Sequence, residues 1–115
     1  MERRPKADKP VFSFAEAAAL LPEVRRLTER AHAQIEALGG AITVGGDLGA
    51  ETRERAQAVV EEWAQTLVAK GLEVKGLWLV DFDNGSGYYC WRYPEPSLQY
   101  YHSYEDGFQG RMRIQ

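Results

Sequence analysis

The chain has 115 residues, of which 44% are hydrophobic and 27% are charged, and its formal net charge is −3. This length suits one domain that buries roughly two thirds of its unfolded surface. The mild charge predicts no nucleic-acid partner. The single cysteine excludes an intrachain disulfide and fits a reducing cytoplasm. Apolar runs of at most five residues are much shorter than the roughly 20 residues needed to span a membrane.

The first ten residues, MERRPKADKP, are predicted to be a disordered tail. Pro5 and Pro10 discourage regular structure, and no apolar stretch of signal-peptide length follows them. Residues 11–115 are then expected to form a single domain. A capping box marks the start of its first helix, because the Ser13 hydroxyl can accept from the amide of Glu16 while the Glu16 carboxylate reaches back to the amide of Ser13.

The first helix carries one apolar stripe and one interruption. Pro22 removes a helical hydrogen bond, so we expect the helix to kink or restart there. Beyond it, apolar residues recur at spacings of three and four, namely at Val24, Leu27, Ala31, Ile35 and Leu38. Gly39 and Gly40 are expected to end this helix, and the five glycines among residues 39–50 predict a loop.

A second helix is predicted from about Ala50 to Lys70, with Gly71 as its stop signal. Its apolar stripe consists of Ala56, Val59, Val60, Trp63 and Leu67. The two helices are therefore expected to form an antiparallel hairpin with an apolar side.

After the second helix the apolar period changes from helical to alternating. Val74 to Phe82 predicts a first strand, Tyr88 to Tyr93 a second and Leu98 to Tyr104 a third. A two-residue turn at Asn84-Gly85 joins the first two strands, and a four-residue turn at Pro94 to Ser97 joins the last two. These turns predict the cross-strand pairs Trp78 with Trp91, Val80 with Tyr89, Trp91 with Tyr100, and Tyr89 with His102.

The predicted pairing divides the strands into two faces. The face expected to pack on the helices contains Trp78, Val80, Phe82, Tyr89, Trp91, Tyr93, Leu98, Tyr100 and His102. The other face contains Leu77, Leu79, Asp81, Tyr88, Cys90, Arg92, Gln99 and Tyr101. A three-residue turn at either place would exchange the faces between strands. The predicted fold is α+β, with a kinked antiparallel helix hairpin packed on a three-stranded antiparallel β-meander.

Four segments resemble a known bacterial family. They are FSFAEAAALLPEV at residues 12–24, LEVKGLWLVDF at 72–82, CWRYPEP at 90–96 and YYHSYEDGFQGR at 100–111. Together they resemble the family of domain of unknown function 2203, although the glycine-rich stretch of residues 39–50 departs from the more continuous helical sequence of that family. The resemblance implies a small cytoplasmic bacterial protein, with signature positions at Asp81, Cys90, Trp91, Glu95, His102, Gly107 and Arg111, and it implies no activity, substrate or cofactor.

The candidate ligand-binding residues are Asp81, Glu95, His102, Asp106 and Arg111. For His102 two interpretations stay open, a hydrogen-bonded core residue and a ligand or base. For Arg111 they are a clasp on a carboxylate such as Asp81 or Asp106, and an anion site. Cys90 in mid-strand is interpreted as a small buried hydrophobe rather than a nucleophile.

Metal chemistry is the sharper alternative for this region. Glu95, His102, Glu105 and Asp106 offer nitrogen and oxygen ligands within a dozen residues. Their spacing matches no established zinc pattern, and Cys90 has no second thiol. The sequence therefore predicts no metal site and no cofactor.

The sequence indicates two alternative functions. The favoured one is a self-associating interaction module, a homodimer, with the exposed sheet face or the helix stripe as its contact. The second sheet face supports this, because Leu77, Leu79, Tyr88 and Tyr101 form an apolar patch that a monomer would leave uncovered. The alternative is a small-ligand or metal-dependent enzyme with its site around His102.

Overall fold

The computed structural model describes residues 10–44 and 49–114, which form two helices and a five-stranded antiparallel sheet. The elements are α1 (Phe14–Val44), α2 (Gly49–Ala69), β1 (Glu73–Gly76), β2 (Leu79–Asp83), β3 (Gly87–Arg92), β4 (Tyr100–Ser103), a short 3-10 helix (Phe108–Gly110) and β5 (Met112–Arg113). The strands lie in sequence order across the sheet. The α+β class is confirmed and the count of three strands is wrong. The predicted tail, apart from Pro10, lies outside the described residues.

The start of α1 is the predicted capping box. The amide of Glu16 donates to Ser13 Oγ at 3.1 Å, and the amide of Ser13 donates to Glu16 Oε1 at 2.9 Å. Helix α1 then continues through Pro22 without a restart, and a kink at this position stays a prediction. Proline removes one amide donor, and the other turns of this 31-residue helix keep theirs.

The glycine pair does not end α1. The helix runs through Gly39 and Gly40 to Val44, and α2 begins at Gly49. The predicted loop is therefore wrong for residues 39–44 and 49, while residues 45–48 lie outside the described part. Glycine costs a helix about 1 kcal/mol relative to alanine, but it keeps its amide donor, so the hydrogen-bonded ladder survives.

The two helices pack antiparallel over the sheet. Trp63 of α2 donates through Nε1 to Thr28 Oγ1 of α1 at 2.8 Å, and both residues are buried. Near the other end of the contact, Lys70 Nζ lies 3.0 Å from Glu23 Oε2. Within the described residues, neither helix has an apolar stretch long enough to cross a membrane.

The predicted first strand is two strands joined by a tight turn. β1 ends at Gly76 and β2 begins at Leu79, with Trp78 between them at a φ of 63°. A bulky residue rarely adopts this left-handed conformation, which explains why no turn is visible in the sequence. The Trp78 ring packs edge-on against Trp63, with 4.9 Å between ring centroids, and this burial against α2 favours the turn.

The β2–β3 hairpin is displaced from the predicted register but keeps the predicted faces. Val80 lies opposite Trp91 and Phe82 opposite Tyr89. The turn residues are 85 and 86 rather than 84 and 85. Asn84 closes the turn instead of occupying it: its side-chain Oδ1 accepts from the amides of residues 86 and 87, at 2.8 Å each.

The β3–β4 pairing overturns the predicted faces. Tyr101 lies opposite Tyr89, and His102 lies opposite Tyr88. β3 ends at Arg92 and β4 begins only at Tyr100, so the connection is longer than the predicted four-residue turn and changes the parity of the register. Tyr100 and His102 are therefore on the face away from the helices, and Tyr101 is on the helix face.

The hydrophobic core lies between the hairpin and the near face of the sheet. It is formed by Ala17, Leu21, Val24, Ala31, Trp63, Leu67, Leu72, Val80, Phe82, Trp91 and Leu98. Trp91 is fully buried there, and its Nε1 donates to the carbonyl of Glu95 at 2.9 Å. Most of the predicted helix-facing residues are thus confirmed, and Tyr100 and His102 are the exceptions.

We expect Trp91→Ala to destabilise the protein by about 3–5 kcal/mol, because the change leaves a large cavity in the core. Chemical denaturation of the purified variant measures this. Leu77→Ala is the matched control, since Leu77 is more than half exposed and should cost less than about 1 kcal/mol. Equal costs for the two variants would contradict the assignment of the core.

Candidate functional site

The face of the sheet turned away from the helices holds a buried polar cluster. Asp81 on β2, Cys90 on β3 and His102 on β4 have exposures of 1%, 0% and 3%. Their potential ligand atoms, a carboxylate oxygen, a sulfur and a ring nitrogen, all lie within 4.8 Å of one another. The β2–β3 and β3–β4 registers bring the three neighbouring strands together at this point.

The two ring nitrogens of His102 have different partners. Nδ1 lies 2.8 Å from the carbonyl oxygen of Ser103. A carbonyl only accepts, so Nδ1 is the protonated donor, and Nε2 points at Asp81 Oδ2 at 3.0 Å. With Nδ1 protonated, a neutral imidazole presents only a lone pair at Nε2. Contact with a carboxylate oxygen then requires a proton or a metal ion between the two atoms.

The two carboxylate oxygens of Asp81 are used very unequally. Both His102 Nε2 and Lys75 Nζ lie 3.0 Å from Oδ2. Oδ1 is buried and has no hydrogen-bond partner among the described residues. A buried unsatisfied polar atom costs about 1–3 kcal/mol, so this oxygen marks a place where a further partner would be favourable.

Lys75 brings a positive charge to the cluster from the edge strand β1. Its ammonium lies 3.7 Å from Glu73 Oε1 and 3.8 Å from the centre of the Tyr88 ring. Burial by itself would lower the pKa of Lys75, but the hydrogen bond to Asp81 and the nearby carboxylate charge outweigh it, so the pKa is raised. Lys75 is therefore charged at neutral pH.

Cys90 does not have the surroundings of a nucleophile. Burial, and then the negative charge of Asp81, raise the pKa of its thiol to about 12, although the nearby Arg111 guanidinium acts in the opposite direction. A cysteine–histidine catalytic pair also needs a ring nitrogen free to take the thiol proton. Both nitrogens of His102 already have other partners, so the cluster is not a catalytic triad.

Arg111 covers the cluster from the C-terminal segment. Its guanidinium stacks between Tyr100 and Phe108, at 4.0 and 4.1 Å from the ring centroids, and Nη1 lies 2.9 Å from Glu95 Oε2. Glu95 is itself fixed, because its Oε1 accepts from the backbone amide of Arg92 at 2.9 Å. Arg111 therefore clasps a carboxylate, but it is that of Glu95 and not that of Asp81 or Asp106, the partners expected from the sequence.

The structure joins four of the five predicted site residues and separates the fifth. Asp81 contacts His102, and Arg111 contacts Glu95, next to the same cluster. Asp106 is exposed, and its carboxylate has no ion pair within the described residues. Of the residues considered as metal ligands from sequence, only His102 is in the cluster.

Sequence reasoning did not predict that Cys90 and Lys75 take part in the polar cluster. The alternating pattern did place Cys90 on the same face as Asp81, which was the available signal, but a lone cysteine suggested only a buried hydrophobe. For Lys75 no signal existed, because its contact depends on the unforeseen turn between β1 and β2.

The comparisons with known proteins give a family and no activity. A family model described as Uncharacterized conserved protein (DUF2203) matches residues 10–114. Neither the search of curated proteins nor the search of solved structures found a match.

We expect the Cys90 thiol to be nearly inert towards a disulfide reagent in the folded protein. With a pKa of about 12, its thiolate fraction at pH 8 is about a thousandfold below that of an ordinary cysteine. The measurement is the rate of reaction with an aromatic disulfide at pH 8, in native buffer and in denaturant. Comparable rates in the two conditions would contradict the buried, protonated thiol.

Proposed function

The chain belongs to the DUF2203 family, and we propose that it is a metal-binding domain in which Asp81, Cys90 and His102 hold a divalent transition-metal ion. The observation that carries this proposal is the unpaired, buried Oδ1 of Asp81, which lies in a cluster with a thiol and an imidazole. The chemistry of the three groups, their spacing and the orientation of the histidine support it.

The spacing of the cluster is close to that of a four-coordinate site. In tetrahedral zinc sites, bond lengths of about 2.0–2.3 Å place ligand atoms roughly 3.3–3.7 Å apart. His102 Nε2 and Asp81 Oδ2 are 3.0 Å apart, and all three ligand atoms lie within 4.8 Å of one another. Side-chain movements of about 1 Å or less therefore suffice to close the site around an ion.

The histidine is oriented as metal ligands usually are. Ligating histidines donate their second ring N–H to a carbonyl or carboxylate, which fixes the tautomer and aims the other nitrogen at the metal. His102 donates through Nδ1 to the carbonyl of Ser103, and this leaves Nε2 towards Asp81 and Cys90.

The donor set selects the class of ion. A thiolate and an imidazole favour zinc and similar transition metals, whereas magnesium and calcium prefer oxygen ligands alone. The incoming ion would displace the proton of the Cys90 thiol to solvent. With Cys90 then a thiolate, Asp81 a carboxylate and His102 neutral, the ligands carry two negative charges, which a divalent cation neutralises.

The burial of the three ligands supports a structural role for the metal ion, in which the ion stabilises the fold. The three ligands come from β2, β3 and β4, so one ion would tie the centre of the sheet together. With ligands exposed by at most 3%, the cluster gives a substrate little access to the ion. The proposed domain therefore uses its metal to fix structure, and we propose no reaction for it.

We expect the metal-free protein to bind one equivalent of Zn²⁺ and His102→Gln to lose at least about 100-fold in affinity, since one of three protein ligands is removed. Calorimetric titration and metal analysis after dialysis measure this. His32→Gln is the matched control, because His32 is the only other histidine and lies on the helix side beside Tyr93.

Two results would contradict the proposal. One is wild-type protein that takes up no Zn²⁺ after chelator treatment. The other is equal loss of binding in the His32 and His102 variants, which would assign the ion to a different place. Melting temperatures with and without Zn²⁺ show whether binding stabilises the folded state, as a ligand specific for that state must.

Self-association is the second candidate function, on a different surface from the one the sequence suggested. Tyr88 is buried in the polar cluster and Tyr101 faces the helix side, so the predicted patch is not formed. A row of side chains instead runs across the helix face of the sheet, and its exposure rises from 0% at Phe82 to 37% at Tyr101 and 50% at Met112. The helices leave the β4 and β5 end of this face uncovered.

We propose a second copy of the chain as the partner of this face, which also includes the exposed Phe14 ring packed against Tyr89. The wild-type protein is expected to sediment as a dimer at micromolar concentration, and Tyr101→Glu as a 13.0 kDa monomer, because a charge would have to be buried. Leu77→Glu is the control, an exposed apolar residue elsewhere. Monomeric wild-type protein at high concentration would contradict this candidate.

A further inference from the structure

We propose that Lys75 is an internal counter-cation that competes with the metal ion for Asp81, so that metal binding displaces the Lys75 ammonium from the cluster. This inference rests on the proposed function, and it adds a residue that sets metal affinity without being a ligand. It concerns how the same site is regulated.

The competition follows from the use of one oxygen by two partners. Lys75 Nζ and His102 Nε2 both lie 3.0 Å from Asp81 Oδ2. An ion bound by His102 Nε2 and the Asp81 carboxylate would lie within a few ångströms of the ammonium. Two positive charges at such a distance repel strongly where solvent screening is weak.

Lys75 also has a route out of the cluster. Its side chain is 37% exposed and stands on β1, an edge strand of the sheet, so its ammonium can turn towards water without disturbing the core. Glu73 Oε1, 3.7 Å away, offers a second carboxylate on the same strand. Lysine moves its charge easily in this way, because the charge sits on a flexible four-carbon stem.

Arg111, the other nearby cation, is held in place. Its guanidinium is stacked between two aromatic rings and bonded to both oxygens of Glu95, at 2.9 and 3.1 Å. Of these two cations, Lys75 is therefore the one that can leave. In the metal-free state its ammonium pairs with the buried Asp81 carboxylate.

The test compares Zn²⁺ affinity in Lys75→Gln and Lys70→Gln, measured by competition with a chelator of known affinity. We expect the Lys75 variant to bind about tenfold more tightly than wild type, since the repelling charge is gone while glutamine can still donate to Asp81. Lys70 is the matched control: its Nζ also lies 3.0 Å from a carboxylate oxygen, but that oxygen belongs to Glu23 on α1 and not to the cluster in the sheet. Its variant should match wild type within about twofold.

A second readout follows Lys75 itself. Its reaction rate with an amine-acetylating reagent, measured by mass spectrometry, should rise severalfold when Zn²⁺ is added, because the released ammonium enters solvent. The rate at Lys70 should not change. This measurement needs no variant and therefore does not depend on how the substitutions fold.

The outcomes separate this inference from the proposed function. Equal or weaker Zn²⁺ binding by Lys75→Gln, with wild-type binding intact, overturns the competition and leaves the metal site standing. Absence of binding in both proteins overturns the metal site and this inference with it.

Discussion

A carboxylate buried in the middle of a β-sheet constrains the far side of this molecule. Asp81 sits on β2 with strands on both sides, and a charge taken out of water costs several kcal/mol unless neighbouring groups compensate it. Lys75 on β1, next to β2, and His102 on β4, on the far side of β3, contact the same oxygen of Asp81. The cluster is therefore an electrostatic unit, and the proposed metal site uses negative charge and an unpaired oxygen that the fold already contains.

The sheet shields this cluster without a second layer of helices. On its near face, α1 and α2 cover apolar residues such as Trp91. On its far face, long side chains take the place of a layer: Arg111 lies between Tyr100 and Phe108, and Glu95 holds it there. Arginine suits this position because its planar group stacks on rings while it bonds a carboxylate. The cover depends on the short pairing of β5 with β4.

Local signals predicted the helices and the positions of the strands, and they failed where one residue of register mattered. The capping box at Ser13 is present because its hydrogen bonds lie within one turn. The hairpin at Asn84 kept its faces because the displaced turn shifted the pairing by two residues. The longer connection before Tyr100 shifted the β3–β4 pairing by one residue, and this placed His102 on the polar face instead of in the predicted core.

The sequence by itself determined the α+β class, the start of α1, the extent of α2 to within a residue or so, and the family resemblance, because these depend on short-range periodicity, capping and motif order. The tertiary structure decided that Asp81, Cys90 and His102 meet, and that Lys75 joins them. Their contact depends on two cross-strand registers and on a turn at Trp78 that has no sequence signal. Side chains alternate between the faces of a strand, so a single residue of difference in a connection decides whether a histidine enters a hydrophobic core or completes a polar cluster.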